Sequence, residues 1–230
     1  QGRVGLGGAF ISDRNGAIER TTVKLSYAYH IFIQNYQLSF GLQFYGMQVG
    51  IDEDLIRFRG PDPTEHRMGA NAFIADAGTG INFSTPNFHA GLTASHLLDS
   101  YFTFGDTELD TFELEQVRNY TLHSFYRTVM RNKNWTFEPS IIVKGNENAQ
   151  FSADLSARFI YKKEYWAGLA IRTSGELVVL AGMRWNRVYL GYSFDYGFNQ
   201  LSYQSYGSHE VMLAVKLGDS IRRYRWLERY

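Results

Sequence analysis

Six histidines, His30, His66, His89, His96, His123 and His209, are the side chains best suited to metal or proton chemistry. A protein-bound zinc needs three or four ligands at short, fixed spacings. His89 and His96 lack the spacing that would make them strand neighbours, and no carboxylate cluster accompanies them. The histidines therefore read as lumen or interfacial residues, and no metal site is expected. His123 is followed by Ser124, but successive strand residues point to opposite faces, so the two cannot form a nucleophile–base pair. No G-x-S-x-G elbow occurs, and there is no cysteine to supply a thiolate or a disulfide. We expect no enzyme, no catalytic residue and no cofactor.

Charge is more informative. Segment 99–116 holds Asp99, Asp106, Glu108, Asp110, Glu113 and Glu115 with no Lys or Arg. Carboxylates in number can hold calcium, but the spacing is not that of an EF-hand, and a solvated external loop is the simpler reading. The end of the chain runs Arg222, Arg223, Tyr224, Arg225, Trp226. Arg, Tyr and Trp dominate binding hot spots, so this segment reads either as a basic anchor or as a docking peptide. Together with Asp106, Glu108 and Asp110 it forms the candidate partner-binding set.

These residues need a scaffold, and the scaffold is written as alternation. Over 187–197, Val188, Leu190, Tyr192, Phe194 and Tyr196 fall on one face, while Tyr189, Gly191, Ser193, Asp195 and Gly197 fall on the other. Period-two matching predicts twelve strands, near 2–12, 20–33, 36–50, 71–83, 86–98, 117–130, 134–145, 149–162, 164–173, 176–185, 187–197 and 207–218. Helical periodicity nowhere persists beyond a couple of turns. No run of about 18 apolar residues exists, which excludes a transmembrane helix but not barrel strands of about 9–11 residues.

The expected connections sort by length. Short turns fall at 34–35, 85–86, 131–133, 162–163 and 186–187. Longer or more varied ones fall at 13–19, 51–70, 99–116, 145–148, 174–175 and 198–206. The two sets interleave, so a meander puts all short turns at one end and all long loops at the other, as in outer-membrane barrels. The short turns are basic, with Arg131, Lys133, Lys162, Lys163 and Arg187, whereas 99–116 is acidic throughout and 51–70 is acidic at its start, with Asp52, Glu53 and Asp54. Trp135, Tyr165, Trp166, Trp185 and Tyr189 gather beside the short turns and read as an interfacial aromatic girdle. Inward charges at Asp76, Asp154, Arg158, Arg172, Arg184, Asp195, Glu210 and Lys216 imply a wet or internally paired lumen. Zero net charge argues against a nucleic-acid binder. The fold expected is all-β, a transmembrane antiparallel up-and-down β-barrel over 1–218, with a basic, aromatic periplasmic tail at 219–230.

Several segments carry a further signal. They are 181–196 (AGMRWNRVYLGYSFDY), 161–175 (YKKEYWAGLAIRTSG), 207–218 (GSHEVMLAVKLG), 222–230 (RRYRWLERY), 4–16 (VGLGGAFISDRNG), 25–30 (LSYAYH) and 86–98 (PNFHAGLTASHLL). They run across essentially the whole chain in the family's order, and they strongly resemble the PorP/SprF family of type IX secretion and gliding membrane proteins. The resemblance implies a monomeric, integral outer-membrane barrel. It implies further strands upstream of Val4, for about fourteen in the complete protein. It implies roles in anchoring secreted adhesins at the cell surface or in linking the secretion machinery to the outer membrane. No catalytic residues carry over.

The expected function is thus a non-enzymatic barrel whose loops 51–70, 99–116 and 198–206 receive the C-terminal domain of a secreted surface protein. Its short turns and Arg-rich tail would meet periplasmic type IX or peptidoglycan-associated proteins, and its wall would meet outer-membrane lipid. The rival readings are a channel or transporter for small solutes and, more remotely, a soluble β-sandwich lectin.

Overall fold

The computed structural model describes residues 3–51, 71–98, 100–104, 112–198 and 207–217. Among these every regular element is a strand. In order they are β1 (Val4–Asn15), β2 (Ile18–Ile33), β3 (Tyr36–Ile51), β4 (Ala72–Ser84), β5 (Phe88–Ser95), β6 (Tyr101–Phe104), β7 (Phe112–Glu115) and β8 (Asn119–Tyr126). Then follow β9 (Thr128–Val129), β10 (Trp135–Asn146), β11 (Phe151–Tyr161), β12 (Tyr165–Arg172), β13 (Glu176–Trp185), β14 (Val188–Gly197) and β15 (Ser208–Val215).

Thirteen strands form one antiparallel sheet in the order β1-β2-β3-β4-β5-β8-β10-β11-β12-β13-β14-β15, with β9 beside β10. Chain order and spatial order agree throughout, which makes it a meander. The sheet stays open, since β1 and β15 are its two edges and neither pairs with the other. The remaining two strands, β6 and β7, make a separate hairpin inside segment 99–116, which sequence reading had treated as loop.

The β8–β10 ladder shows how one residue shapes the fold. Pairing lapses between Ser140↔Phe125 and Phe137↔Thr128, opposite Glu138 and Pro139. Proline has no N–H to give to a ladder. The lapse splits what would be one strand into β8 and β9, and a side-chain ion pair described below closes the gap.

Burial in this sheet is inverted. Leu25, Leu42, Leu92, Leu155, Leu169, Val179, Leu190 and Val211 are all exposed, Leu169 at 54%. They occupy one continuous face, since register pairs Leu25 with Phe44, Leu92 with Leu122, Leu169 with Val179 and Leu190 with Leu213. The buried polar residues, Thr22, Gln37, Ser39, Asp76, Ser84 and Glu138, lie on the opposite face. Water would not tolerate so large an apolar belt, which marks a membrane or partner surface. A soluble sandwich, which buries its apolar faces between two packed sheets, does not fit this arrangement.

The sorting of connections holds only in part, because β1–β2, β10–β11 and β12–β13 are joined by short turns at the long-loop end as well. The compact turns β2–β3, β4–β5, β11–β12 and β13–β14 share one end, and residues 52–71, 96–118 and 198–207 connect strands at the other. One expectation is corrected. The segment 13–19 is not a long loop, because β1 and β2 run on to a two-residue turn at Gly16–Ala17, with Gly16 in the left-handed region at φ 60°.

At the long-loop end, β5 and β8 stop at Ser95 and Asn119, level with Gly78 and Gln43. Beyond that level β1–β4 continue as a projecting ribbon. It holds the only apolar cluster among the described residues, Tyr45, Met47, Val49, Ala72 and Ile74, with Ile51 packed against it. Burying each of these larger side chains stabilises the ribbon by about 1.5–3 kcal/mol. The part of the sheet that leaves the greasy belt thus gains a conventional core.

Candidate functional site

The inward face gathers its charges at two levels, and they differ in sign. At the short-turn end the concave side of the sheet encloses a cavity of about 950 Å³. Arg127, Arg158, Lys163 and Arg184 line it, and no lining residue is acidic. Trp166 and Tyr189 form part of its wall, with Ile160 and Met212 beside them.

Strand parity explains this convergence. Arg158 pairs across β11–β12 with Gly168, Trp166 with Gly182 across β12–β13, and Arg184 with Tyr189 across β13–β14. Cross-strand partners share a face, so these residues stack along one side of the sheet. The Arg184 guanidinium lies 5.7 Å from the centre of the Tyr189 ring, and its Nε donates to the Asn186 carbonyl at 3.2 Å. That leaves its terminal nitrogens with no carboxylate partner among the described residues.

Glu138 sits in the wall of the same region. Its carboxylate accepts from Nε of Arg127 at 2.7 Å, and it is also ion-paired with Arg158. The Glu138 and Arg127 side chains are only 6% and 11% exposed, whereas that of Arg158 reaches solvent. One carboxylate therefore serves two guanidiniums, across the ladder gap that Pro139 opens.

Lys163 enters from the β11–β12 turn. Lys162 and Lys163 both take positive φ, 50° and 61°, where a side chain is disfavoured. The Glu164 N–H donates to the Tyr161 carbonyl at 3.0 Å and closes the turn. Neither lysine forms an ion pair among the described residues.

At the long-loop end the inward face is acidic. Lys144 lies 3.7 Å from Asp154, Arg172 Nε donates to Asp154 Oδ1 at 3.1 Å, and Arg172 is ion-paired with Glu176. Asp195 and Glu210 stand on the same face, and Ser193 Oγ donates to Glu210 at 3.4 Å. Further round, Asp76 is 2% exposed. It accepts from the Ala77 and Leu98 N–H groups at 2.6 and 3.1 Å and lies 3.0 Å from His96 Nδ1. The Tyr45 hydroxyl accepts from the His96 N–H at 3.0 Å. This network ties the chain after β5 back onto the ribbon, and His96 adopts a positive φ of 59° to make it.

The sequence-predicted residues divide as follows. Arg222, Arg223, Tyr224, Arg225, Trp226, Asp106, Glu108 and Asp110 lie outside the described residues, as does the tail 219–230. Trp135, Tyr165 and Trp185 project from the outward face, Trp185 at 77% exposure. Trp166 and Tyr189 do not join them, and this corrects the expected girdle: both face inward onto the cavity. Tyr165 and Trp166 are adjacent in one strand, so they cannot share a face. The inward placement of Asp76, Asp154, Arg158, Arg172, Arg184, Asp195 and Glu210 holds in the register, whereas Lys216 lies one residue beyond the β14–β15 ladder.

His66 lies outside the described residues, and His30, His89, His96 and His209 are held by polar or ring neighbours. His30 contacts Ser39 and Gln37, His89 contacts Ser84 and stacks on Phe125, and His209 contacts Tyr192. No group of three or more metal-ligating side chains converges among the described residues. Sequence reasoning had identified Arg158 and Arg184 as inward charges and Lys163 as a turn residue. It missed their meeting with Arg127, Trp166 and Tyr189. The parity of Trp166 and Tyr189 was the available signal.

Comparison with known proteins gives one family. The family model described as type IX secretion system membrane protein PorP/SprF matches residues 1–215. No curated protein matches the chain.

Proposed function

The chain belongs to the PorP/SprF family of type IX secretion system membrane proteins, and on that premise we propose that it is an integral outer-membrane barrel that docks or anchors a secreted surface protein. The observation that carries this reading is the inverted burial, with leucines and aromatics outside and Asp76, Glu138 and Ser84 inside. Lipid is the solvent that rewards such a surface. The orientation follows from the sorted connections: the short-turn end faces the periplasm, and segments 51–70, 99–116 and 198–206 face outward.

In this reading the protein is not an enzyme. Loops on a rigid sheet receive the C-terminal domain of the secreted cargo, and the basic end engages periplasmic components. The test is retention of cargo on cells in which residues 105–111 are replaced by a Gly-Ser linker. Loss of surface cargo with normal barrel assembly supports the reading, and unchanged retention counts against it.

A second reading is a channel for small solutes, favoured by the 950 Å³ cavity on the inward face. Planar-bilayer recording separates the two. A steady large conductance favours the pore, and a silent membrane favours the docking scaffold.

A further inference from the structure

We propose that the cavity at the short-turn end is a receptor for a carboxylate-bearing peptide segment of a periplasmic partner. The proposal deepens the docking reading and rests on it for the side from which the peptide comes. The chemistry of the cavity is set by its lining residues alone.

Four cations, Arg127, Arg158, Lys163 and Arg184, border one space, and no lining residue is acidic. Glu138 is already shared by Arg127 and Arg158. Lys163 and Arg184 have no carboxylate within ion-pair distance among the described residues. Planar guanidiniums offer forked donors that match carboxylates. Arg184 is held in place from behind by the Tyr189 ring and the Asn186 carbonyl, so its remaining N–H groups are presented rather than folded away.

The size of the site argues against a bare anion. About 950 Å³ is space for a ligand of many heavy atoms, whereas an inorganic anion would fill a small part of it. The wall beside the cations is apolar and aromatic, with Trp166, Tyr189, Ile160 and Met212. An acidic peptide with an aliphatic or aromatic side chain meets both halves of that surface.

The location argues against a lipid headgroup. Headgroups border the outward face, where Trp135, Tyr165 and Trp185 project, whereas the cavity lies on the concave face.

The experiment uses the full chain in detergent and a fluorescein-labelled hexapeptide, Asp-Phe-Glu-Asp-Leu-Glu, with a free C-terminal carboxylate. Fluorescence anisotropy should show saturable, salt-sensitive binding. The double variant Arg184→Gln with Lys163→Gln should weaken it at least about tenfold, the loss expected for charge-assisted contacts. Lys144→Gln, at the acidic end, should leave it within about twofold, the scatter of a distant and independent site. Lys163→Gly, which removes the charge while relaxing the turn, should weaken binding without unfolding, and so separates a lost contact from a lost fold.

Four results would overturn the proposal. They are unchanged binding in the double variant, equal loss in Lys144→Gln, full displacement by equimolar inorganic phosphate, or loss of binding on transfer to phosphatidylglycerol nanodiscs. The third would make it a small-anion site and the fourth a headgroup site. None of these depends on cargo retention, so failure here and failure of the docking reading are distinguishable.

Discussion

Trp166 occupies the space that a side chain at Gly182 would need. A Cβ on Gly182 would collide with the Trp166 ring and come within 2.6 Å of the Leu190 carbonyl. The glycine is thus what lets an indole lie against the inner wall between β12 and β13. Gly182→Ala should displace the ring and destabilise the sheet by about 1–3 kcal/mol, the usual cost of overpacking. Urea unfolding in detergent checks the stability, and a shift in tryptophan emission that is absent from Trp166→Phe checks the displacement.

Glu138 gives a second prediction. Glu138→Gln leaves Arg127 and Arg158 without their shared anion at the point where the β8–β10 ladder lapses. The cost should be about 2 kcal/mol, below that of a fully buried pair because Arg158 reaches water. The same change raises the positive potential of the cavity, so binding of the acidic hexapeptide should tighten while unfolding becomes easier. Paired denaturation and anisotropy measurements should show the two effects with opposite sign.

The greasy face can be tested at Leu169, in the middle of β12 and 54% exposed. On a soluble protein an arginine there would change stability by less than about 0.5 kcal/mol. Near the centre of a bilayer it should cost about 2–4 kcal/mol. Folding into lipid vesicles, compared with the inward change Ala170→Ser, reads the difference. Equal tolerance of both substitutions would remove the membrane assignment of this face.

Asp76 holds the segment after β5 through the Leu98 N–H and His96. Asp76→Ala should free that segment and cost about 2–3 kcal/mol locally, since two N–H donors and a ring nitrogen lose a buried acceptor. Hydrogen exchange should rise at Leu97 and Leu98 and stay unchanged at the β12–β13 ladder.

Much of the fold was legible because alternation is a local property. The inward set from Asp76 to Glu210 could be read residue by residue, and the twelve sequence-predicted strands correspond to β1–β5, β8 with β9, and β10–β15. Two things were not legible. The hairpin β6–β7 lay hidden because segment 99–116 was read for its charge, and its strands are only four residues long. The cavity depends on register across five strands, which brings Arg127, Arg158 and Arg184 to one end, and no window of sequence contains that information. Two of the five expected girdle residues turn inward for a different reason: Tyr189 follows the outward Val188 and Trp166 follows the outward Tyr165, and strand parity overrides nearness to a turn.

The outward belt has a consequence for the newborn chain. Before lipid receives them, Leu25, Leu42, Leu155 and Leu213 have nowhere to go except onto one another or onto another copy. An aqueous journey to the membrane therefore calls for an escort that shields these side chains, and the bilayer is the last component the fold requires rather than a place it later visits.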